Sequence, residues 1–278
     1  MDKRENLNTL LGTIELAQPE ENQDCGPAIP QAEIREGRYL ARFAKSQEQI
    51  EAALKLRFKV FNLELGEGLE SSFVSGQDKD EYDESCQHLV VLELPEEKVV
   101  GTYRLQIAET ASASRGFYSA GEFDLSLLPA GVLENSVELG RACVAQGHRN
   151  TQVLFLLWKG IAAYVAYHRK RYLFGCCSLT SQDPTEGHRL FHFLKKSGHL
   201  HPHFSVSPRL GFDCIGQDHL VSLGPGINLP RLFKTYLRFG AKVCSPPAID
   251  RQFKTIDFLV IFDVDTMDGK THHLFFGA

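Results

Sequence analysis

The chain has 278 residues, of which 43% are hydrophobic and 23% charged, the balance of a globular protein with a real core. Its formal net charge of -5 excludes a general polyanion-binding surface, so an acidic partner would have to meet a local basic patch. Seven cysteines, with no CxxC pair and with Cys176 next to Cys177, argue against a disulfide framework and for a reducing compartment.

Residues 1 to about 37 are polar, contain Pro19, Pro27 and Pro30 and show no apolar period, which predicts a disordered leader ahead of one domain over 38–278. The segment RYLARFAK, 38–45, alternates as a strand does. Ser46 and the apolar positions Ile50, Ala53, Leu54, Leu56, Phe58, Val60 and Phe61 predict an amphipathic helix over 46–62. Residues 88–94 and 99–107 read as a hairpin that turns at Glu96 and Glu97. The stretch 108–135 carries no clear period. A strand over 137–144, a polar loop over 146–150, a long helix over 151–170 and a strand over 172–178 follow. The helix holds the most apolar run, 153–167, which is shorter than the ~20 residues of a membrane span and contains Lys159. Asp183 and Pro184 open a helix over roughly 186–196, and 199–230 is loop-rich, with an insert near 200–228. A short helix over 229–239 and strands over 241–244 and 255–264 complete an α+β order.

Three units carry chemistry. The first is the loop before the long helix. A helix N-terminus offers unpaired N–H groups and a positive dipole end, which suit a phosphate or a phosphopantetheine arm. His148 and Arg149 add positive charge there, although the loop lacks a Gly-x-Gly pair and also reads as an ordinary turn. The second unit is Glu138-Leu-Gly-Arg141. A carboxylate on this strand could take a proton from an attacking amine, directly or through water. Glu138 and Arg141 would point to opposite faces unless a bulge intervenes, and a structural Glu–Arg pair is the plain alternative. The third is the acidic run from Asp78 to Glu84, read as a solvated loop, a cation site, or a network with Arg57, Arg104 and Arg141. The 11 histidines, among them His188, His192, His199, His201 and His203, have no cysteine or carboxylate at metal-ligand spacing, so no metal is expected. No GxSxG motif and no basic, aromatic-interleaved stripe occurs, which argues against a serine hydrolase and against nucleic-acid binding.

Taken in order, Arg57 with Phe61, Asp80 with Asp83, Gly101-Thr-Tyr-Arg104-Leu105, Phe123, and Glu138 with Arg141 resemble the pattern of the acyl-homoserine lactone (autoinducer) synthases. The stretches ELGRACV, LFLLWKGIAAYVAYH, YLFGCCSLTSQDP and the C-terminal segment resemble more closely a sister family, the ornithine N-acyltransferases that make lyso-ornithine lipid, with related N-acyl amino acid synthases. The resemblance covers about residues 38–268. It implies a GNAT-like fold: a mixed, mostly antiparallel sheet with a splayed central strand pair and flanking helices. It implies a (3-hydroxy)fatty acyl chain delivered on acyl carrier protein, and an amino-acid α-amine as acceptor, ornithine first. No cofactor is implied.

On that reading Glu138 is the base, and Arg57, Phe61, Asp80, Asp83, Arg104, Phe123 and Arg141 surround the acceptor. Val144, Gly147, His148, Arg149, Asn150 and Ser178 meet the phosphopantetheine or its thiol. The cluster Asp80, Glu81, Asp83 and Glu84 is expected to take the ornithine side-chain ammonium. His148, Arg149, Arg169, Lys170 and Arg171 are expected to form one docking patch for the acidic carrier. The chain is expected in the cytoplasm, touching the inner membrane face peripherally because its product is an amphiphile. The alternatives are an autoinducer synthase acylating S-adenosylmethionine and a non-catalytic carrier-binding module.

Overall fold

The computed structural model describes residues 29–215 and 229–277; residues 1–28 of the leader expected over 1–37, and residues 216–228 of the insert expected near 200–228, lie outside them. β1 (Ile34–Glu36) and β2 (Tyr39–Phe43) form a hairpin about Gly37, whose φ of +56° costs a glycine little. Strand β1 therefore falls inside the leader expected over residues 1 to about 37. Three residues are too few to display a period, so the polar composition around β1 hid it.

β3 (Gln87–Glu93) and β4 (Lys98–Ile107) make the expected hairpin. β5 (Ser136–Val144), β6 (Tyr172–Leu179), β7 (Lys242–Val243), β8 (Ala248–Asp250) and β9 (Thr255–Asp263) complete one sheet in the order β1-β2-β3-β4-β5-β6-β9-β7, with β8 also on β9. Every pairing is antiparallel except that of β5 with β6. This is the α+β order read from the sequence and the mixed, mostly antiparallel sheet that the family resemblance implies.

Helix α1 (Gln47–Phe58) starts where the Ser46 hydroxyl accepts the N–H of Gln49, and it widens into π-helical turns over Lys59–Leu65. With Leu40, Val90 and Leu92 it builds a core on one face of the sheet. Short helical turns between β4 and β5 extend that face, where Phe123, Leu125 and Val132 pack on Phe174, Leu259 and Ile261. On the opposite face lies α2 (Thr151–Tyr167), capped by the Asn150 side chain, which accepts the N–H of Val153 at 3.0 Å. It is the crossover that makes β5 and β6 parallel. α3 (Pro184–Lys196), α4 (Arg231–Arg238) and α5 (Gly269–Phe276) join it in one apolar cluster through Leu190, Phe233 and Phe275. No helix among the described residues is long and apolar enough to cross a membrane.

The sheet is interrupted at one place. β5 and β6 are in register only from Ser136 with Tyr172 to Glu138 with Phe174. β6 then follows β9 as far as Leu179, while β5 stays with β4. At the parting point a Cβ on Gly175 would stand 2.2 Å from the carbonyl oxygen of Leu139, so only glycine fits there.

Candidate active site

The gap between β5 and β6 opens into a cavity of about 320 Å³ that reaches both faces of the sheet. Side chains alternate across a strand, so successive residues of β6 and β9 line different ends. One end is apolar, with Leu105, Trp158, Leu173, Phe233, Val260 and Phe262. The other is polar, with Glu67, Arg104, Tyr118, Glu122, Glu138, Arg141, Ser178 and Asp257.

The polar end stands on a buried ion network. Arg57, with 0% of its surface exposed, donates from Nε to Asp78 at 2.9 Å and from Nη1 to Asp83 at 2.6 Å. Arg104 reaches Asp80 at 2.5 Å and Asp83 at 3.1 Å, and Arg141 reaches Asp78 at 3.2 Å and Asp80 at 3.0 Å. Each arginine bridges two aspartates and each aspartate two arginines, which neutralises the charge without water. Burial alone would raise Asp78 and Asp83, but the guanidinium charges outweigh it and hold both below the usual carboxylate range.

Arg141 joins this network because β5 is bulged. Thr102 pairs with Cys143 and Arg104 with Gly140, so Tyr103 faces two residues of β5, and Arg141 takes a φ of +51°. The bulge turns Arg141 to the side of Glu138 and Arg104, with its guanidinium 4.8 Å from the Tyr118 ring centroid and 4.3 Å from that of Phe253. A left-handed arginine is strained backbone held by this packing.

Glu138 is buried and held by three donors. Its Oε2 accepts the N–H of Tyr118 at 2.7 Å; its Oε1 accepts the N–H of Ser119 at 2.7 Å and the Ser119 hydroxyl at 2.6 Å. Burial raises its pKa above the ordinary value, against the pull of those bonds and of Arg104. Beyond it lie more buried carboxylates. Glu67 accepts the Thr180 hydroxyl, and burial pushes it up to about 7. Glu122, Asp250 and Asp257 bring one oxygen each within 4.8 Å of one another. Burial pushes Asp257 up to about 6 and Glu122 well above the carboxylate range, with neighbouring carboxylates adding to both.

Comparison with known proteins bears on what this site does. An acetyltransferase (GNAT) domain family matches residues 56–159. The L-ornithine N(alpha)-acyltransferase of Agrobacterium fabrum strain C58 is 34% identical over 248 residues, 85% of this chain and 84% of that one. That of Brucella abortus strain 2308 is 32% identical over 247 residues, 85% and 88%. The chain belongs to the L-ornithine N(alpha)-acyltransferase family. It is thus an acyltransferase with a GNAT domain. Among solved structures, the AHL synthase LasI covers 86% of this chain and 95% of its own, at 13% identity and a TM-score of 0.48.

Within this acyltransferase the residues singled out from sequence fall into three groups. Phe61, Arg104, Glu138, Arg141 and Ser178 line the cavity. Arg57, Asp80 and Asp83 stand behind it in the ion network. Phe123 does not reach it: the side chain is fully buried in the core with Leu125 and Phe174, and its neighbour Glu122 faces the cavity instead. Val144, Gly147, His148, Arg149 and Asn150 also lie off the cavity wall. Their groups bond within the protein: His148 Nδ1 with the Tyr39 hydroxyl at 3.1 Å, Arg149 with Glu64 and with the Val144 carbonyl at 3.1 Å, and Asn150 as the α2 cap. Glu64 precedes Leu65, which lines the cavity, so this loop sits at its rim.

Two expectations are corrected. Asp80 and Asp83 are spent on arginines, and Glu81 pairs with Arg115 and Glu84 with Lys79 at the surface, so the 78–84 run is no open ammonium site. The basic patch is split, because His148 and Arg149 precede α2 while Arg169, Lys170 and Arg171 follow it, ~25 Å along the helix axis. Lys170 and Arg171 are paired as well, with Glu109 and Asp263. Sequence reasoning placed Asp78 in the acidic run but not among the site residues, and it missed Glu67, Glu122, Asp250 and Asp257. For Asp257 a signal existed: it is an acid inside the otherwise apolar strand TIDFLVIF.

Proposed function

We propose that the protein transfers a fatty acyl chain, 3-hydroxylated or plain, from the phosphopantetheine thioester of acyl carrier protein to the α-amine of ornithine. The products are the carrier thiol and an N-acyl amino acid, a lyso-ornithine lipid. The observation that carries this reading is the cavity itself, which joins a charged end to an apolar end through the gap in the sheet. An amino acid and an alkyl chain can each meet its own kind of wall while their reacting atoms share one passage. Family membership supports ornithine as the acceptor.

In the reaction, Glu138 takes the proton from the acceptor ammonium, directly or through water. The freed amine attacks the thioester carbonyl. The oxygen that gains charge is met by backbone N–H groups of β5 beyond Glu138, where pairing with β6 has ended. The C–S bond then breaks, and the second amine proton, lost as the amide forms, passes to the thiolate through the Ser178 hydroxyl on the cavity wall, which gives its own proton and takes up the amine's. Arg104 gives only Nη1 to the aspartates, which leaves N–H groups for the acceptor carboxylate, and Phe61 lines the wall beside it. The rim loop with Gly147, His148, Arg149 and Asn150 receives the phosphopantetheine arm. Aminolysis of a thioester is not a redox reaction, so it needs no redox cofactor.

The working place is the cytoplasm, at the inner membrane face. Leu63, two residues before the cavity-lining Leu65, and Phe73 and Val74 are exposed, at 60%, 52% and 93%, and support peripheral contact. The test is a competition assay with ornithine, lysine, glycine and S-adenosylmethionine, using acyl carrier protein or coenzyme A as donor and mass analysis of products. N-acylornithine from the carrier donor is expected. A lactone product, or carrier binding without thiol release, would overturn the reading.

A further inference from the structure

The acidic run at 78–84 is consumed by Arg57, Arg104, Arg141, Arg115 and Lys79, yet a second set of carboxylates lines the cavity with capacity to spare. We infer that Asp257 and Glu122, backed by Asp250, form the seat of a cationic side chain on the acceptor, and so select a diamino acid over a neutral one. The inference rests on the acyl-transfer reading above and assigns its acceptor specificity.

Three observations carry it. First, Asp257 is 3% exposed and lines the cavity; Oδ2 accepts the Thr255 hydroxyl at 2.8 Å and the Ser178 hydroxyl across the ladder also stabilises the carboxylate, yet Oδ1 is left without a hydrogen bond of normal geometry. A buried carboxylate oxygen facing a cavity without a donor is costly unless a ligand supplies one. Second, the cation beside the cluster is already engaged, since Arg141 gives Nε to Asp78 and Nη2 to Asp80. An incoming ammonium would supply the missing charge and up to three N–H donors. Third, the cluster stands at the right place. Glu138 touches the Ser119 hydroxyl at 2.6 Å, that hydroxyl lies 3.5 Å from Cys176 Sγ, and Sγ lies 3.8 Å from Glu122 Oε2. One short diamino acid can therefore present its α-amine to Glu138 and its terminal ammonium to Glu122 and Asp257.

A divalent metal fits less well. Hard cations of this kind take six or more oxygens. Here Asp250 Oδ1 is bound by the N–H groups of Gln252 and Phe253, both at 2.8 Å, and Asp257 Oδ2 is held by Thr255. Too few carboxylate oxygens remain for a cage, whereas an ammonium needs only two or three acceptors.

The test compares ornithine with norvaline, which has the same carbon chain without the terminal ammonium. Both are assayed with one acyl carrier donor for the wild type, Asp257→Asn and Glu122→Gln. The ratio of kcat/KM for ornithine to that for norvaline should fall on the order of 100-fold in each variant, the cost of unpairing a buried charge. A ratio within threefold of wild type in both variants would sink the inference while leaving acyl transfer to ornithine intact. Calorimetric binding of Mg²⁺, Mn²⁺ or Ca²⁺ that Asp257→Asn abolishes, with the ratio unchanged, would make the cluster a metal site and overturn it too. If one variant does not fold, the other carries the comparison, because acylation of norvaline reports a folded enzyme. A wild type that acylates no amino acid at all would end the acyl-transfer reading and this inference with it.

Discussion

Glu138→Gln separates the catalytic from the structural role of the central carboxylate. The carboxylate accepts three hydrogen bonds through two oxygens, so a glutamine can keep the Ser119 pair on its oxygen only by turning its NH₂ toward the Tyr118 N–H, 2.7 Å away in the native contact. Two donors would then face each other in a buried site. The expected loss of stability is about 1–3 kcal/mol, the cost of an unsatisfied buried donor, or a fall in melting temperature of roughly 2–10 °C. The loss of a general base is expected to lower turnover on the order of 10²-fold or more. The assay is therefore paired: thiol release against pH, and thermal melting, on the same preparation. In the wild type the rate should rise with pH through a raised carboxylate pKa, and in the variant that limb should vanish. A variant that melts early but keeps wild-type turnover and the same limb would refute the base assignment. Glu138 would then be the anchor of the 118–119 turn and nothing more.

Three further outcomes follow from the geometry. Arg57→Ala leaves Asp78 and Asp83 each short of a partner in the core, so it should cost about 3–5 kcal/mol in denaturant unfolding; a loss under 1 kcal/mol would show the network to be dispensable. Asp257 and Glu67 have folded-state pKa values raised to about 6 and about 7, so each stabilises the fold when protonated, and that gain is lost as pH climbs through those values. The melting temperature should thus fall between about pH 4 and 7 and level off above, and Asp257→Asn should recover on the order of 3 kcal/mol at pH 8, whereas an unchanged wild-type melt from about pH 4 to 7 would contradict it. At the cavity rim, Glu64 neutralises Arg149, so Glu64→Gln should lower the KM for carrier substrate a few-fold and Arg149→Ala should raise it, both effects shrinking in high salt; shifts in the same direction would rule out docking at this loop.

What was legible in the sequence depended on how far apart the cooperating residues lie. Helix α2 and strands β3 to β6 have strong periods and hold their places. The ion network was legible in part, because arginines matching a short acidic run leave a pattern along the chain. Asp78, at the front of that run, was missed as a site residue although it binds both Arg57 and Arg141. The bulge at Arg141 was only a condition, since nothing in ELGRACV says that β4 will give one residue where β5 gives two. β8 sits behind Pro246 and Pro247, which read as loop, and α5 is too short to show a period. The carboxylate seat was invisible because its parts meet only through pairing. Asp257 lies opposite Ser178 across β9 and β6, while Glu122 arrives from a turn with no periodic signal.

A regular sheet would have kept the two halves of this site apart. The ion network lies on the α1 face, and the apolar cluster that would receive an acyl chain lies under α2, α4 and α5 on the other. Backbone ladders close a sheet to anything larger than a side chain. The passage exists because β5 and β6 part after Glu138, and two local features hold them apart. Gly175 lets the Leu139 carbonyl come close at the last point of contact, and the bulge at Arg141 breaks the regular register of β5 against β4. The same parting ends the β5–β6 ladder beside Glu138, where the proposed reaction needs N–H donors for the thioester oxygen. Opening the sheet sacrifices ladder hydrogen bonds, and in return the parted strands leave the passage and the unpaired N–H groups on which the proposed reaction draws, while the separate bulge sets Arg141 in the ion network beside them.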